Sequence, residues 1–146
     1  MDENELCKVG DFGLLRELPT DSDIYVPQSV DPMPYRWMAL ESLTNKRFSV
    51  ASDVWSFGVL MWEMFMPKKT PHEEFGPFDI ASKLKEGYRL PLPRGVPRLL
   101  GDIMKACWKE NPTKRPSFLL ICTLLTTRAL MLKEEDYVYG KLAKKN

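Results

Sequence analysis

Apolar positions run almost unbroken through "SVASDVWSFGVLMWEMF", residues 49–65. A helix that is apolar on nearly every side belongs at the buried centre of a fold. Ser49 or Ser52 is placed to cap it, and Asp53 falls in its first turn, where a carboxylate suits the positive end of the helix dipole. Three further helices are predicted: 78–86 closed by Gly87, 96–108, and 115–132. In the 96–108 helix Leu100, Ile103, Met104 and Cys107 share a face. In the last helix Phe118, Ile121, Cys122, Leu125, Ala129 and Leu132 do, and Pro116 suits its first turn. The connector "LPLPRGVP" reads as extended and stiff. Residues 14–36 instead carry Pro19, Pro27, Pro32 and Pro34 among Thr, Ser, Asp and Gln, the composition of a long functional loop. The only strand signal is weak, near residues 6–9, and no internal repeat or low-complexity tract is present. The predicted fold class is mainly α, a central buried helix with amphipathic helices around it.

Composition narrows the picture without changing it. A chain of 146 residues with 44% hydrophobic and 28% charged residues matches one soluble domain with a real core. Its net charge of +1 supplies no basic field for nucleic acid or an anionic membrane. Cys7, Cys107 and Cys122 are irregularly spaced, resemble neither a zinc knuckle nor a redox CxxC pair, and read as buried reduced thiols of a cytoplasmic protein. The apolar run 54–66 is too short for a bilayer and contains Glu63, and the acidic start "MDENELCKVG" is unlike a signal peptide.

Candidate chemistry enters with four motifs in order: "DFG" at 11–13, "RWMALES" at 36–42, "DVWSFG" at 53–58 and "CWKENPTKRPSF" at 107–118. "GDFG" alone reads better as an Asp-Gly turn after a short strand; the three downstream motifs reverse that preference. Together the four resemble the carboxy-terminal lobe of a protein kinase of the tyrosine-specific group, from about residue 8 to about residue 132. "KEGYRLPLP" ahead of the last motif adds to the similarity. The resemblance implies a partial tyrosine kinase domain over 1–132, comprising activation segment and C-lobe helices, and a tail over 133–146.

It also implies roles. Asp11 would ligate the Mg2+ that bridges the phosphates of ATP, because a hard cation takes carboxylate oxygen. Phe12 would pack against the core to aim that carboxylate, and Gly13 would permit a turn that a side chain obstructs. Glu41 and Arg115 would form a buried ion pair; otherwise both are ordinary surface charges. Asp53 would accept hydrogen bonds from backbone N–H groups of a catalytic loop, or simply favour its own helix terminus. Trp55, Trp62 and Trp108 read as packing. Arg36, Trp37 and Met38 correspond to the stretch that shapes the platform beside the acceptor residue, and imply tyrosine as acceptor. Tyr25 lies where such kinases carry a regulatory phosphosite, with Arg16 a nearby partner for the phosphate; a solvated side chain is the competing reading. Tyr137 and Tyr139 are candidate docking sites in what reads first as a frayed polar tail.

The chain departs from the family at two places. Leu40 replaces the proline of Ala-Pro-Glu, which frees a φ angle at a cost of about 0.4 to 1 kcal/mol of local order. Tyr35 stands where a small β-branched residue is commoner, after Pro34. Nowhere in the 146 residues is there a Gly-rich loop, a Val-Ala-Ile-Lys-like strand, a partner glutamate helix or a His-Arg-Asp with its downstream Asn. His72, the one histidine, sits in the charged, loop-like "KKTPHEEF" and is expected to be exposed, with no role as a substitute base. The expectation is therefore the rear part of a tyrosine kinase, inactive by itself and cytoplasmic or on the cytoplasmic side of a membrane. Its expected partners are the ATP-binding part of the domain and protein substrates with an acceptor tyrosine. The alternative is a noncatalytic, kinase-derived binding module.

Overall fold

The structure, a computed structural model, describes residues 8–27 and 33–143, with side chains as far as residue 131. Cys7, the first half of the expected strand, Pro32 and the side chains of Leu132, Tyr137 and Tyr139 lie outside the described residues. Among the described residues the helices are α1 (Leu40–Asn45), α2 (Val50–Phe65), α3 (Asp79–Lys85), α4 (Arg98–Cys107) and α5 (Phe118–Ala143). The only extended pairing described is an isolated antiparallel bridge between Tyr25 and Phe48.

The helix α2 starts where its sequence demands. Ser49 is extended at φ −157°, its hydroxyl accepts from the Ser52 N–H at 3.3 Å, and the Ser52 hydroxyl accepts from the Ser49 N–H at 2.9 Å. The reciprocal pair satisfies two donors that a helix start would otherwise strand. From there Val54, Trp55, Gly58, Val59, Met61 and Trp62 are buried. The expectation of burial on nearly every side is corrected on one face, where Val50 and Leu60 are half exposed and Met64 is 73% exposed.

The packing of α4 on α2 centres on Gly58. A Cβ there would lie 2.7 Å from both Cys107 Cβ and Trp108 Nε1, closer than atoms tolerate, so glycine is what lets the two helices touch. Ile103, Met104 and Cys107 close the core from the face expected of them. On the other side Ile80 and Leu84 bury α3, which stops at Gly87 with φ +94°. Trp62 donates its indole N–H to the Pro91 carbonyl at 2.9 Å, which fixes the proline-rich connector onto α2.

The last helix differs from its prediction. It begins at Phe118, so Arg115 and Pro116 precede it, and it continues unbroken past residue 132 to Ala143. Of its expected core face, Ile121 is buried and Leu125 partly so, while Phe118 and Cys122 are exposed. Phe118 instead meets Phe57 edge-on at 5.7 Å. The reading of all three cysteines as buried thus fails at Cys122 and holds at Cys107. Among the described residues no helix is long and apolar enough to cross a membrane.

Candidate functional site

Three anchors organise the segment between residues 11 and 48. The first is Arg115, whose side chain is fully buried while that of Glu41 is 17% exposed. Its Nη1 and Nη2 donate to Glu41 Oε1 at 2.6 Å and Oε2 at 2.9 Å, a bidentate pair spanning 74 positions of sequence. The remaining donors go to the carbonyls of Ala51 (3.0 Å), Lys109 (2.9 Å) and Glu110 (3.3 Å). All five N–H groups of the guanidinium are therefore satisfied, the condition under which a buried charge is tolerated. Removing either partner strands the other at a cost of about 3 to 5 kcal/mol. Arg115 also lies 5.0 Å over the Trp55 ring, as does Arg89, whose Nε donates to the Trp108 carbonyl at 2.7 Å.

The second anchor holds the stretch 34–38. A 3₁₀ turn covers Tyr35–Trp37. Arg36 points into the molecule, where its Nη1 donates to the carbonyls of Pro71 (3.2 Å) and His72 and its Nη2 to that of Phe75 (3.2 Å). The Trp37 indole N–H donates to Glu63 Oε2 at 2.6 Å, and the Ser56 hydroxyl donates to the Trp37 carbonyl at 2.9 Å. Met38 is partly buried and leads through the fully buried Ala39 into Leu40, the first residue of α1.

His72 corrects the sequence expectation. It is 3% exposed, adopts φ +54°, and packs its ring 5.8 Å from that of Tyr88. Its Nδ1 has no hydrogen-bond partner. Burial pushes its pKa down to about 4, against the pull of Glu74 and with the help of the Arg36 and Arg89 charges. The turn 71–75 curls around the Arg36 guanidinium, and this long-range contact buries a histidine that its charged neighbours in sequence suggested was exposed.

The third group is the Asp11 turn. Asp11 is left-handed at φ 58°, ahead of a 3₁₀ turn over Phe12–Leu14. Phe12 does not pack against the core: it is 62% exposed, because no described element lies over it. Gly13 is not required by sterics either, since a Cβ there would meet only Asp11 Oδ1 at 3.6 Å; the unusual backbone angle belongs to Asp11. Arg16 donates to the carbonyls of Gly13 (3.0 Å) and Leu15 (2.7 Å) and so closes its own turn. Tyr25 exchanges backbone hydrogen bonds with Phe48 at 2.8 and 2.9 Å, with ring centroids 6.5 Å apart, and is partly buried rather than solvated. Asp53 is exposed and has no side-chain partner among the described residues; neighbouring protein removes enough water from its carboxylate to raise its pKa.

A sequence model of the protein tyrosine and serine/threonine kinases matches residues 1–125. The chain belongs to the protein kinase family. This kinase chain is 43% identical over 136 residues to the tyrosine kinase receptor Cad96Ca of Drosophila melanogaster, covering 93% of the chain and 17% of the receptor. It is 42% identical over 125 residues to the human ephrin type-A receptor 8, covering 86% of the chain and 12% of the receptor. A zebrafish (Danio rerio) ephrin type-A receptor 3 is 40% identical over 118 residues, covering 81% of the chain and 12% of the receptor. The kinase chain thus spans less than a fifth of the length of these curated relatives.

In this chain the structure brings Glu41 and Arg115 together and sets Arg36, Trp37 and Met38 against α2 and the 71–75 turn. It leaves Asp11 and Phe12 at the surface. Sequence reasoning missed Ser56, Glu63 and His72 as parts of this arrangement. A signal for Glu63 was available: it is the one charged residue in the apolar run 54–66, where a carboxylate needs a partner.

Proposed function

We propose that these residues are the activation segment and helical lobe of a protein tyrosine kinase, whose complete domain transfers the γ-phosphoryl group of ATP to protein tyrosines. The observation that carries the reading is the buried Glu41–Arg115 pair, which ties the end of the segment to the last helices with every donor satisfied. Similarity to tyrosine kinase receptors over most of the chain supports tyrosine as acceptor.

Asp11 fits a share of a magnesium site. Mg2+ takes one or two protein carboxylates together with substrate phosphates and water, and Asp11 offers one exposed carboxylate at the tip of a turn. Among the described residues no cluster of three or more ligating side chains exists, so a metal held by protein alone is not what this donor set suits. Asp11 would hold such an ion by its carboxylate, and the chemistry supplied there would be neutralisation of phosphate charge. Asp53, exposed and with no side-chain hydrogen-bond partner among the described residues, is open to N–H donors brought by a catalytic loop. Tyr25 serves in this reading as the phosphosite of the segment, and Arg36, Trp37 and Met38 as its acceptor platform. The kinase acts in the cytoplasm or on the cytoplasmic side of a membrane. Phosphoryl transfer depends on positioning and electrostatics, and the 146 residues lack the motifs for the phosphate cradle, the catalytic base and the second metal. By itself the chain is inactive.

The test joins residues 1–125 to the upstream kinase half of Cad96Ca, in place of the matching stretch. The chimera is expected to phosphorylate a tyrosine peptide with Mg-ATP, Asp11→Asn to abolish this, and the chain alone to show none. Turnover by the isolated chain, or an inactive but folded chimera, refutes the reading.

A further inference from the structure

Two of the four tryptophans leave their indole N–H without a partner, and a histidine shares their space. Trp37 donates to Glu63 and Trp62 to the Pro91 carbonyl, as indoles removed from water ordinarily do. Trp55 and Trp108, 1% and 3% exposed, donate to nothing among the described residues, and the Nδ1 of His72 is equally unpaired. All three residues line one crevice, walled by Val59, Leu84 and Leu90 and flanked by Arg89. Its empty space of about 150 Å3 is too finely divided to seat a water molecule, so the three nitrogens stay unsatisfied as packed. His72 also stands at φ +54°, a left-handed backbone that costs a non-glycine residue energy. One side chain thus fills the crevice under backbone strain, with no hydrogen bond at Nδ1 in return.

We propose that this crevice is a binding site for a small planar aromatic carboxylate, which enters when the His72 ring swings out. The donors set the chemistry. An indole N–H only donates, so Trp55 and Trp108 require an acceptor. Arg89 commits Nε to the Trp108 carbonyl and Nη1 to those of Leu84 and Tyr88, which leaves Nη2 without a hydrogen bond among the described residues. That guanidinium and the one of Arg36, whose Nη1 donates to the His72 carbonyl, make the surroundings positive. The opposing charge, Glu74, is exposed and accepts from the Tyr88 hydroxyl. The charges of Arg36 and Arg89 that disfavour a protonated His72 favour an anion in its place. The ring sets the size: the space released is that of an imidazole, with the Tyr88 ring 5.8 Å away and aliphatic walls, which suits a flat aromatic body. The site is separate from Asp11 and from the 36–38 stretch, and it does not rest on the kinase reading.

The test titrates sodium benzoate, with benzyl alcohol as its neutral match, into the 146-residue chain and its His72→Gly variant at neutral pH, while the four indole N–H resonances are followed. Glycine accepts the left-handed backbone and removes the ring that fills the crevice. Benzoate is expected to shift Trp55 and Trp108 and to leave Trp37 and Trp62, which already have partners, in place. His72→Gly is expected to tighten benzoate about tenfold, because an open form no longer has to be populated first. Benzyl alcohol, without the charge, is expected to bind about tenfold more weakly than benzoate. No shift in His72→Gly, equal shifts at all four indoles, unchanged benzoate affinity on removal of the ring, or equal affinity for benzyl alcohol overturns the proposal. If His72→Gly does not fold, the native chain decides: shifts confined to Trp55 and Trp108 at high benzoate support the site, and unmoved resonances overturn it.

Discussion

His72 concentrates the chemistry of this chain in one side chain. Its imidazole stays neutral when folded because burial, with Arg36 and Arg89 nearby, holds its pKa near 4, below the ordinary 6.5, while Glu74 only partly offsets this. The unfolded chain therefore takes up this proton first as pH falls. The stability His72 contributes is complete above pH 6.5 and is lost as pH falls toward 4, up to about 3 kcal/mol. Carboxylates also titrate between pH 4 and 6.5, so the measurement is a difference. Urea midpoints at pH 7 and pH 4.5 are compared for the native chain and for His72→Asn, since asparagine tolerates the left-handed backbone. The native chain is expected to lose more stability on acidification than the variant; parallel losses would show that the imidazole does not titrate there. Residue identities alone did not reveal this, because the burial comes from an arginine 36 positions away. The partnership of Glu41 and Arg115 was available only through resemblance, since sequence separation favours neither pairing nor exposure.

Among the elements, α2 and α4 depend most on one small residue. Ala has the better helix propensity by about 1 kcal/mol, so in an exposed helix Gly58→Ala would stabilise. Here the added methyl meets Cys107 and Trp108 at 2.7 Å, both buried and unable to withdraw. Overpacking of this kind costs about 1 to 3 kcal/mol and outweighs the propensity gain. Gly58→Ala is therefore expected to lower Tm, and a raised Tm would mean that the two helices separate without cost. The existence and ends of α2, α3 and α4 were legible to within two residues, because capping serines, the Gly87 stop and the 3.6-residue period are local signals. The start of α5 was not: Arg115 carries helix-compatible propensity, yet its five hydrogen bonds hold it in an extended conformation before the helix begins.

At the scale of the whole molecule, the two described cysteines sample different depths of one core. Cys122 lies exposed on α5, whereas Cys107 is fully buried under α2 and burial pushes its thiol pKa up to about 11. A thiol reagent at pH 7.5 is expected to label Cys122 promptly and Cys107 only as fast as the core opens, so that sub-denaturing urea accelerates Cys107 alone. Equal rates at both sites, read by mass spectrometry of the labelled peptides, would mean that α4 does not close over α2 in solution. The exposed apolar positions Val50, Leu60 and Met64 carry the same lesson, since hydrophobicity marks a surface as able to be buried without naming the element that buries it.

The sequence by itself determined the helical class, the cap of α2 and the stop of α3, the core face of α4 and, through four ordered motifs, the family. All of these are encoded in neighbours a few residues apart or in recognisable strings. Only the tertiary structure decided which charges are buried and which are free, and where each anchoring side chain ends. It turned His72 inward, gave Arg36 three carbonyls and Trp37 a carboxylate, and left Phe12 in solvent. The physical reason is that burial and hydrogen-bond satisfaction are properties of contacts between distant segments, and no window of sequence contains both partners.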